Sequence, residues 1–362
     1  MGEMTMRERM LAVVQGREHD RVPFVQYSNL GAPDEEVWSA LGRGSMGILR
    51  WAPTYRLEHP NCRFETVEIE RGGRKGYRRF LHTPEGTLAQ EKFYEPTYGT
   101  AATARHFVRE PDDYQAVMAY LRDVVVVENF DAGRDVIREM GDDGLPHTSL
   151  PKTPYQQLWV EWVSIQDLCL HLVDRPALME EVAALMMDVG RRVFAVACRA
   201  ARELPIPYLV CGDNITAPII GETYFRKYCL PSYWALAEML DEAGLDIPIF
   251  VHMDGDLKPL WRAIGESPVR GLDSMSPPPD NDTSVAAAAA MWPEMRLMVN
   301  FPSSVHLAEP KVIRATAEGL LAEGGSTGRL QIQISENVPP GRWKVSYPEI
   351  VKAIETFGRP GQ

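Results

Sequence analysis

The chain has 362 residues, 45% hydrophobic and 24% charged, a composition that excludes wholesale disorder and fibrous folds. Its net charge of −12 argues against a nucleic-acid partner, whose phosphates call for a basic footprint. No apolar run reaches the roughly 18 residues of a membrane span, and the opening MGEMTMRERM lacks the apolar stretch of a secretory signal. The five cysteines, Cys62, Cys169, Cys198, Cys211 and Cys229, include no C-x-x-C pair, so a reduced, cytoplasmic protein is expected, without a disulfide framework or structural zinc.

Thr5 to Glu8 spells a capping box, and Gly16 is placed to close the helix it opens. Residues 21–25 read as a short buried strand, 34–41 as a helix and 46–51 as a second apolar strand. From Arg63 to Phe93 the pattern changes. Phe64 to Ile69 alternates with period two, Gly72-Gly73 makes a turn, Tyr77 to Leu81 returns, and Pro84-Glu85-Gly86 leads into a further strand. This is read as a β-rich excursion over about 56–95. Pro111 with Asp112 and Asp113 opens a helix by its proline and its acidic first turn. Strand candidates follow at 145–150, 207–211, 247–251, 269–272, 296–299 and 330–334, with helices at about 176–203, 222–243 and 347–357.

Eight short apolar runs therefore precede helical patterns, near residues 23, 46, 146, 208, 248, 270, 297 and 331. Alternating β and α units imply a parallel sheet, and eight of them imply a (β/α)8 TIM barrel. The whole chain, 1–362, is read as one such domain carrying the excursion. No glycine-rich phosphate loop follows any strand, which weakens a dinucleotide-binding alternative.

Active sites of such barrels lie at the C-terminal ends of the strands. Gln26, Arg50, His147, Asp213, Asn214, His252, Asp254, Asp273, Asn300 and Glu336 all collect there. Capping of the next helix is the alternative for Asp213, Asn214, Asp273 and Asn300. His252 and Asp254, two apart, can face one mouth together. With Glu336 from the eighth strand they would suit a hard or borderline metal such as zinc, or else an acid/base set without metal. Tyr27, Trp51, Trp159 and Trp162 are candidates for an apolar pocket wall, with ordinary core packing as the alternative.

Several segments resemble the uroporphyrinogen decarboxylase superfamily. Arg7 to Ala12 with His19-Asp20-Arg21-Val22-Pro23 is similar to its helix and D-R-V/I-P opening. Thr83 to Thr87 resembles a T-P-x-G-T turn, His106-Phe107-Val108 with Pro111 to Tyr114 an H-F-x-x-x-P-E-D-Y/L segment, and Asp174-Arg175-Pro176 a D-x-P. Phe250 to Gly255 resembles an H-x-C/D-G motif. The resemblance implies a (β/α)8 barrel. The arginine-rich segment by which the decarboxylases grip propionates is missing after the first strand, where Gln26 to Ala32 stands instead, so a tetrapyrrole substrate is not expected.

The corrinoid-dependent methyltransferase branch holds zinc with an H-x-C and a later cysteine. Here His252 matches the histidine, while Asp254 stands at the first cysteine position and Glu336 near the second. Loss of both soft ligands disfavours thiol activation. The resemblance then implies an O- or N-demethylating methyltransferase that passes a methyl group from a small methoxylated or methylated substrate to cobalamin on a partner corrinoid protein. His252, Asp254 and Glu336 would be catalytic, directly or as zinc ligands. Asp213, Asn214, Asp273, Asn300, Tyr27, Arg50, His147 and Trp159 would contact substrate, and a homodimer is compatible with the pattern. Two rivals are a decarboxylase of a small carboxylic acid, with Arg50 as its carboxylate anchor, and a non-catalytic barrel that binds a ligand or a corrinoid protein.

Overall fold

A computed structural model describes residues 3–97 and 100–359. The first helix, α1 (Met6–Gln15), begins at Thr5, whose hydroxyl accepts the Glu8 amide while the Glu8 carboxylate accepts the Thr5 amide. It ends at Gly16, whose φ of 64° is the left-handed conformation that glycine adopts without steric cost. The strands that follow are β1 (Phe24–Tyr27), β2 (Gly47–Trp51), β3 (Gly144–His147, resuming at Ser149–Leu150), β4 (Leu209–Cys211), β5 (Ile249–Val251), β6 (Gly271–Met275), β7 (Arg296–Asn300) and β8 (Leu330–Ile334).

These form one parallel sheet whose outermost members are the two halves of β3. Gly144–His147 pairs with β2, Ser149–Leu150 pairs with β4, and only Thr148 lies between them, so the sheet closes on itself as eight strands. The expected (β/α)8 barrel is the observed architecture.

Strand side chains alternate between two apolar regions. Val25, Leu49, Leu145, Tyr208, Val210, Phe250 and Met298 form one cluster inside the barrel, with Met6, Met10 and Val14 of α1 plugging its N-terminal end. Ile48, Leu209, Val251, Leu272, Val299 and Ile332 belong to a second, larger cluster, in which the outer faces of the strands meet the helices. This alternation fixes which strand-end residues look into the barrel mouth.

The excursion between β2 and β3 is larger than its sequence pattern suggests. Arg63–Arg71, Arg74–Thr83, Gly86–Tyr94 and Ala101–Arg105 form a four-stranded antiparallel sheet. Tyr55–Glu58 pairs separately with Val125–Glu128. Phe64 and Tyr120 pack edge-on, and Tyr120 and Phe107 both pack against Trp162, tying this roof to the barrel. Among the described residues no helix is long and apolar enough to cross a membrane.

Candidate active site

His252 follows β5 directly and Asp254 lies two residues on, in the loop that Gly255 turns. There is no room behind this turn for a side chain: a Cβ on Gly255 would fall 2.1 Å from Thr216 Cβ. Glu336 leaves β8 on the same side of the barrel. One ligand-type atom from each of the three residues lies within 4.8 Å of the others. His252 Nε2 faces Asp254 Oδ2 at 3.5 Å, and the backbone N–H of Ser274 donates to His252 Nδ1 at 3.0 Å.

Burial opposes charge on all three groups, and their neighbours separate them. Asp254 is held below the usual carboxylate range because His252 outweighs its desolvation. Glu336 is raised, first by burial and then by the Asp254 charge. Burial acts to lower the His252 pKa, but Asp254, then Asp273 and Glu336, reverse this and raise it. The environments of the two carboxyls thus push their pKa values in opposite directions.

The donor types and spacing of the trio suit an ion such as zinc. The tautomer does not. With Nδ1 occupied by a donor, the ring proton sits on Nε2, the nitrogen that faces Asp254. A metal-bound histidine ordinarily donates its other N–H to an acceptor, and here a backbone N–H occupies that place instead.

Beneath the trio lies a fully buried carboxylate, Asp273. Its Oδ2 accepts from Tyr27 Oη and His147 Nε2, each at 3.0 Å, and its Oδ1 accepts from Gln333 Nε2 at 2.6 Å. Burial alone would raise its pKa. The bond from His147, with the nearby His252 charge and Gln333, lowers it to about 2. His147 also packs against the rings of Tyr27 and Trp51. Asn214 stands at a φ of 56°, rare for any residue but glycine. Its Oδ1 accepts from Lys152 Nζ at 2.8 Å, and its Nδ2 reaches Asp254 Oδ2 at 3.4 Å.

Other strand-end residues lie elsewhere. Arg50 shares the outward face of β2 with Ile48 and pairs with Glu139 at 3.0 Å on the surface, so it does not serve the mouth. Gln26 also points outward, donating to Asp34 and accepting from Tyr347. The two oxygens of Asp213 are taken by the Thr153 amide and the Tyr233 hydroxyl, making it a brace between loop and helix. The Asn300 amide joins Ser276 to Ser335, next to Glu336, and is 1% exposed, so it positions rather than binds. Trp162 is core, whereas Trp159 is half-buried with its indole N–H on Gln156. Tyr208, Gln333, Ser274 and Lys152 were not singled out in the sequence. Alternation in Leu330-Gln331-Ile332-Gln333-Ile334 carries the signal for Gln333, since it puts glutamines on the inner face of β8.

Residues 175–341 match the family model described as Uroporphyrinogen decarboxylase (URO-D). That match spans just under half of the 362-residue chain and is a likeness to the family over residues 175–341. A sequence search of curated proteins gives no significant match. Among solved structures, a methyltransferase from Methanosarcina mazei is similar at 14% identity, with a TM-score of 0.55, over 98% of this chain and 99% of that one. At that identity the likeness concerns the fold. The Asp20 of the family-like opening has a structural use here: it forms two hydrogen bonds, at 2.6 and 2.8 Å, to the buried Arg9 and accepts the Met4 amide.

Proposed function

We propose that this barrel is a methyltransferase of the demethylating type, moving a methyl group from a small methoxylated or methylated compound to cobalamin carried by a partner corrinoid protein. The observation that carries this reading is the convergence of His252, Asp254 and Glu336 at one end of the barrel, with Glu336 raised and Asp254 lowered. When the C–O or C–N bond breaks, the heteroatom keeps the electron pair and needs a proton, because an alkoxide or free amide ion is a poor leaving group. Glu336 is the group poised to give that proton. His252, its Nε2–H held by Asp254, stabilises the charge that develops there. Asp254 remains ionised and orients the imidazole.

The acceptor is a second substrate that has to reach the same end of the barrel. Leu30, Trp51 and Leu307, at 39%, 57% and 64% exposure, sit at or just after the C-terminal ends of β1, β2 and β7, an apolar character that suits contact with a partner. A decarboxylase anchored by Arg50 loses its support, since Arg50 faces Glu139.

The test is incubation with cob(I)alamin and a panel of methoxylated and N-methylated compounds, followed by the absorbance of methylcobalamin. Transfer by the wild type and its loss in His252→Ala and Glu336→Gln support the reading. A wild-type rate in His252→Ala overturns the assignment.

A further inference from the structure

The mouth carries a second histidine that the methyl-transfer reading leaves unused. Val25, Leu49, Leu145 and Phe250 point into the barrel. Tyr27, Trp51, His147 and His252 each follow one of them by two residues, so all four belong to the next inward layer, at the C-terminal ends of β1, β2, β3 and β5. Trp51 and His147 are direct neighbours in the β2–β3 register, with ring centroids 5.3 Å apart and planes inclined by 34°. The Tyr27 ring packs on His147 at 5.0 Å.

The two imidazoles are held in opposite senses. His252 receives the Ser274 N–H on Nδ1 and so presents Nε2–H. His147 is turned the other way. Its Nε2 lies 3.0 Å from Oδ2 of Asp273, the fully buried carboxylate to which Tyr27 and Gln333 also donate. An ionised carboxylate only accepts, so the His147 ring proton sits on Nε2, and in the neutral ring Nδ1 is an acceptor. Among the described residues no hydrogen bond reaches that Nδ1, although the atom is not sealed from solvent. A buried carboxylate that fixes one ring nitrogen and leaves the other open is the arrangement that makes an imidazole a proton acceptor. Trp51, more than half exposed, supplies a flat wall beside it.

We propose that His147 is a substrate-binding residue, whose Nδ1 accepts a hydrogen bond from a free O–H or N–H on a ring-shaped ligand lying against Trp51. Asp273 is the positioning residue that keeps this nitrogen open. The identity of the reaction rests on the methyl-transfer reading, under which the methyl donor carries one methylated heteroatom and one unmethylated O–H or N–H. The tautomers then set the orientation of that ligand. A methylated ether oxygen has only lone pairs to offer, which suits the N–H of His252 and is refused by the lone pair of His147. A free O–H suits His147 and leaves the methylated end to His252 and Glu336. The two histidines thus read opposite ends of one molecule, and a ligand that is methylated at both ends loses its partner at His147.

The experiment is calorimetric titration of the intact protein at about pH 8, where an ordinary imidazole is neutral, with 3-methoxyphenol against 1,3-dimethoxybenzene. The phenol is expected to bind about 3- to 10-fold more tightly, the worth of one hydrogen bond. That preference should vanish in His147→Phe, which keeps a ring but has no acceptor, and return in part in His147→Gln, whose amide donates to Asp273 and still offers an oxygen. Trp51→Ala should weaken both ligands alike and leave the preference unchanged. Circular dichroism will verify that each variant is folded. Nitrogen-15 spectra of the wild-type histidines give a second readout: the phenol should shift one unprotonated Nδ1 that the diether leaves in place. Equal binding of the two compounds, binding of neither, an unchanged preference in His147→Phe, or a phenol that moves no Nδ1 resonance overturns the proposal. Donor-selective binding without methyl transfer keeps the His147 site and removes the methyl-transfer reading. Methyl transfer from both compounds, bound equally, does the reverse.

Discussion

Replacing Asp273 by asparagine tests the buried network on which the mouth rests. The wild-type carboxylate accepts from Tyr27, His147 and Gln333 and is lowered from 3.8 to about 2. At 1.36 kcal/mol per pKa unit, this shift is worth about 2.5 kcal/mol at neutral pH. A depressed carboxyl stabilises the fold above its unfolded pKa, and that stability is lost as pH falls through the folded value. The gain is therefore complete at pH 7, roughly halved by pH 3 and gone below about pH 2. The asparagine amide also turns an N–H toward Tyr27 or His147, which adds a penalty independent of pH. Urea unfolding followed by tryptophan fluorescence should show the variant less stable by about 2.5 kcal/mol or more at pH 7, with the gap narrowing by about 1 kcal/mol at pH 3. A variant as stable as wild type at pH 7, or a gap that does not change with pH, would refute the picture of a charge held by its neighbours.

His252→Ala should slow turnover by roughly 10²–10⁴-fold, the usual contribution of a positioned acid/base group, and lower the melting temperature, because Asp254 and the Ser274 N–H lose their partner; circular dichroism at the assay temperature will verify that it is folded. Glu336, raised by burial, costs stability as pH rises past its folded pKa, so Glu336→Gln should melt higher than wild type at pH 7 but not at pH 4, as scanning calorimetry will show. Because Nδ1 of His252 is held by the Ser274 N–H, activity should survive dialysis against EDTA, and elemental analysis should find no stoichiometric zinc; a zinc that leaves together with activity would return the trio to the role of ligands. Gly144→Ala puts a Cβ 1.8 Å from the Ile48 carbonyl, prying β3 from β2, and should lower stability by about 1–3 kcal/mol in urea titrations.

The barrel was legible because short apolar runs, each followed by a helical pattern, occur eight times, and the capping box at Thr5 and the turn at Gly72-Gly73 were legible because turn and cap chemistry is local. The fourth roof strand was not: Ala101–Arg105 lacks β-branched bulk apart from Thr103 and is a strand because its neighbour supplies the ladder. Val125–Glu128 shows the converse, a run of valines whose partner, Tyr55–Glu58, lies outside the barrel. At the site, the spacing of His252 and Asp254 announced their common direction, whereas Arg50 and Asp213 were misplaced because proximity to a strand end says nothing about which face a residue takes.

The seam that closes the barrel has a consequence for synthesis. Phe24 of β1 pairs with Ile332 of β8, so one edge of the first strand has no partner until nearly the whole chain has been made. The roof differs, since each of its strands pairs with the next along the chain. Contacts between near neighbours form early, and those between distant segments wait on loop closure. On a ribosome the roof is thus assembled ahead of the mouth it covers, while β1 and β2, already paired, wait with an open edge that a chaperone or a second nascent chain meets first.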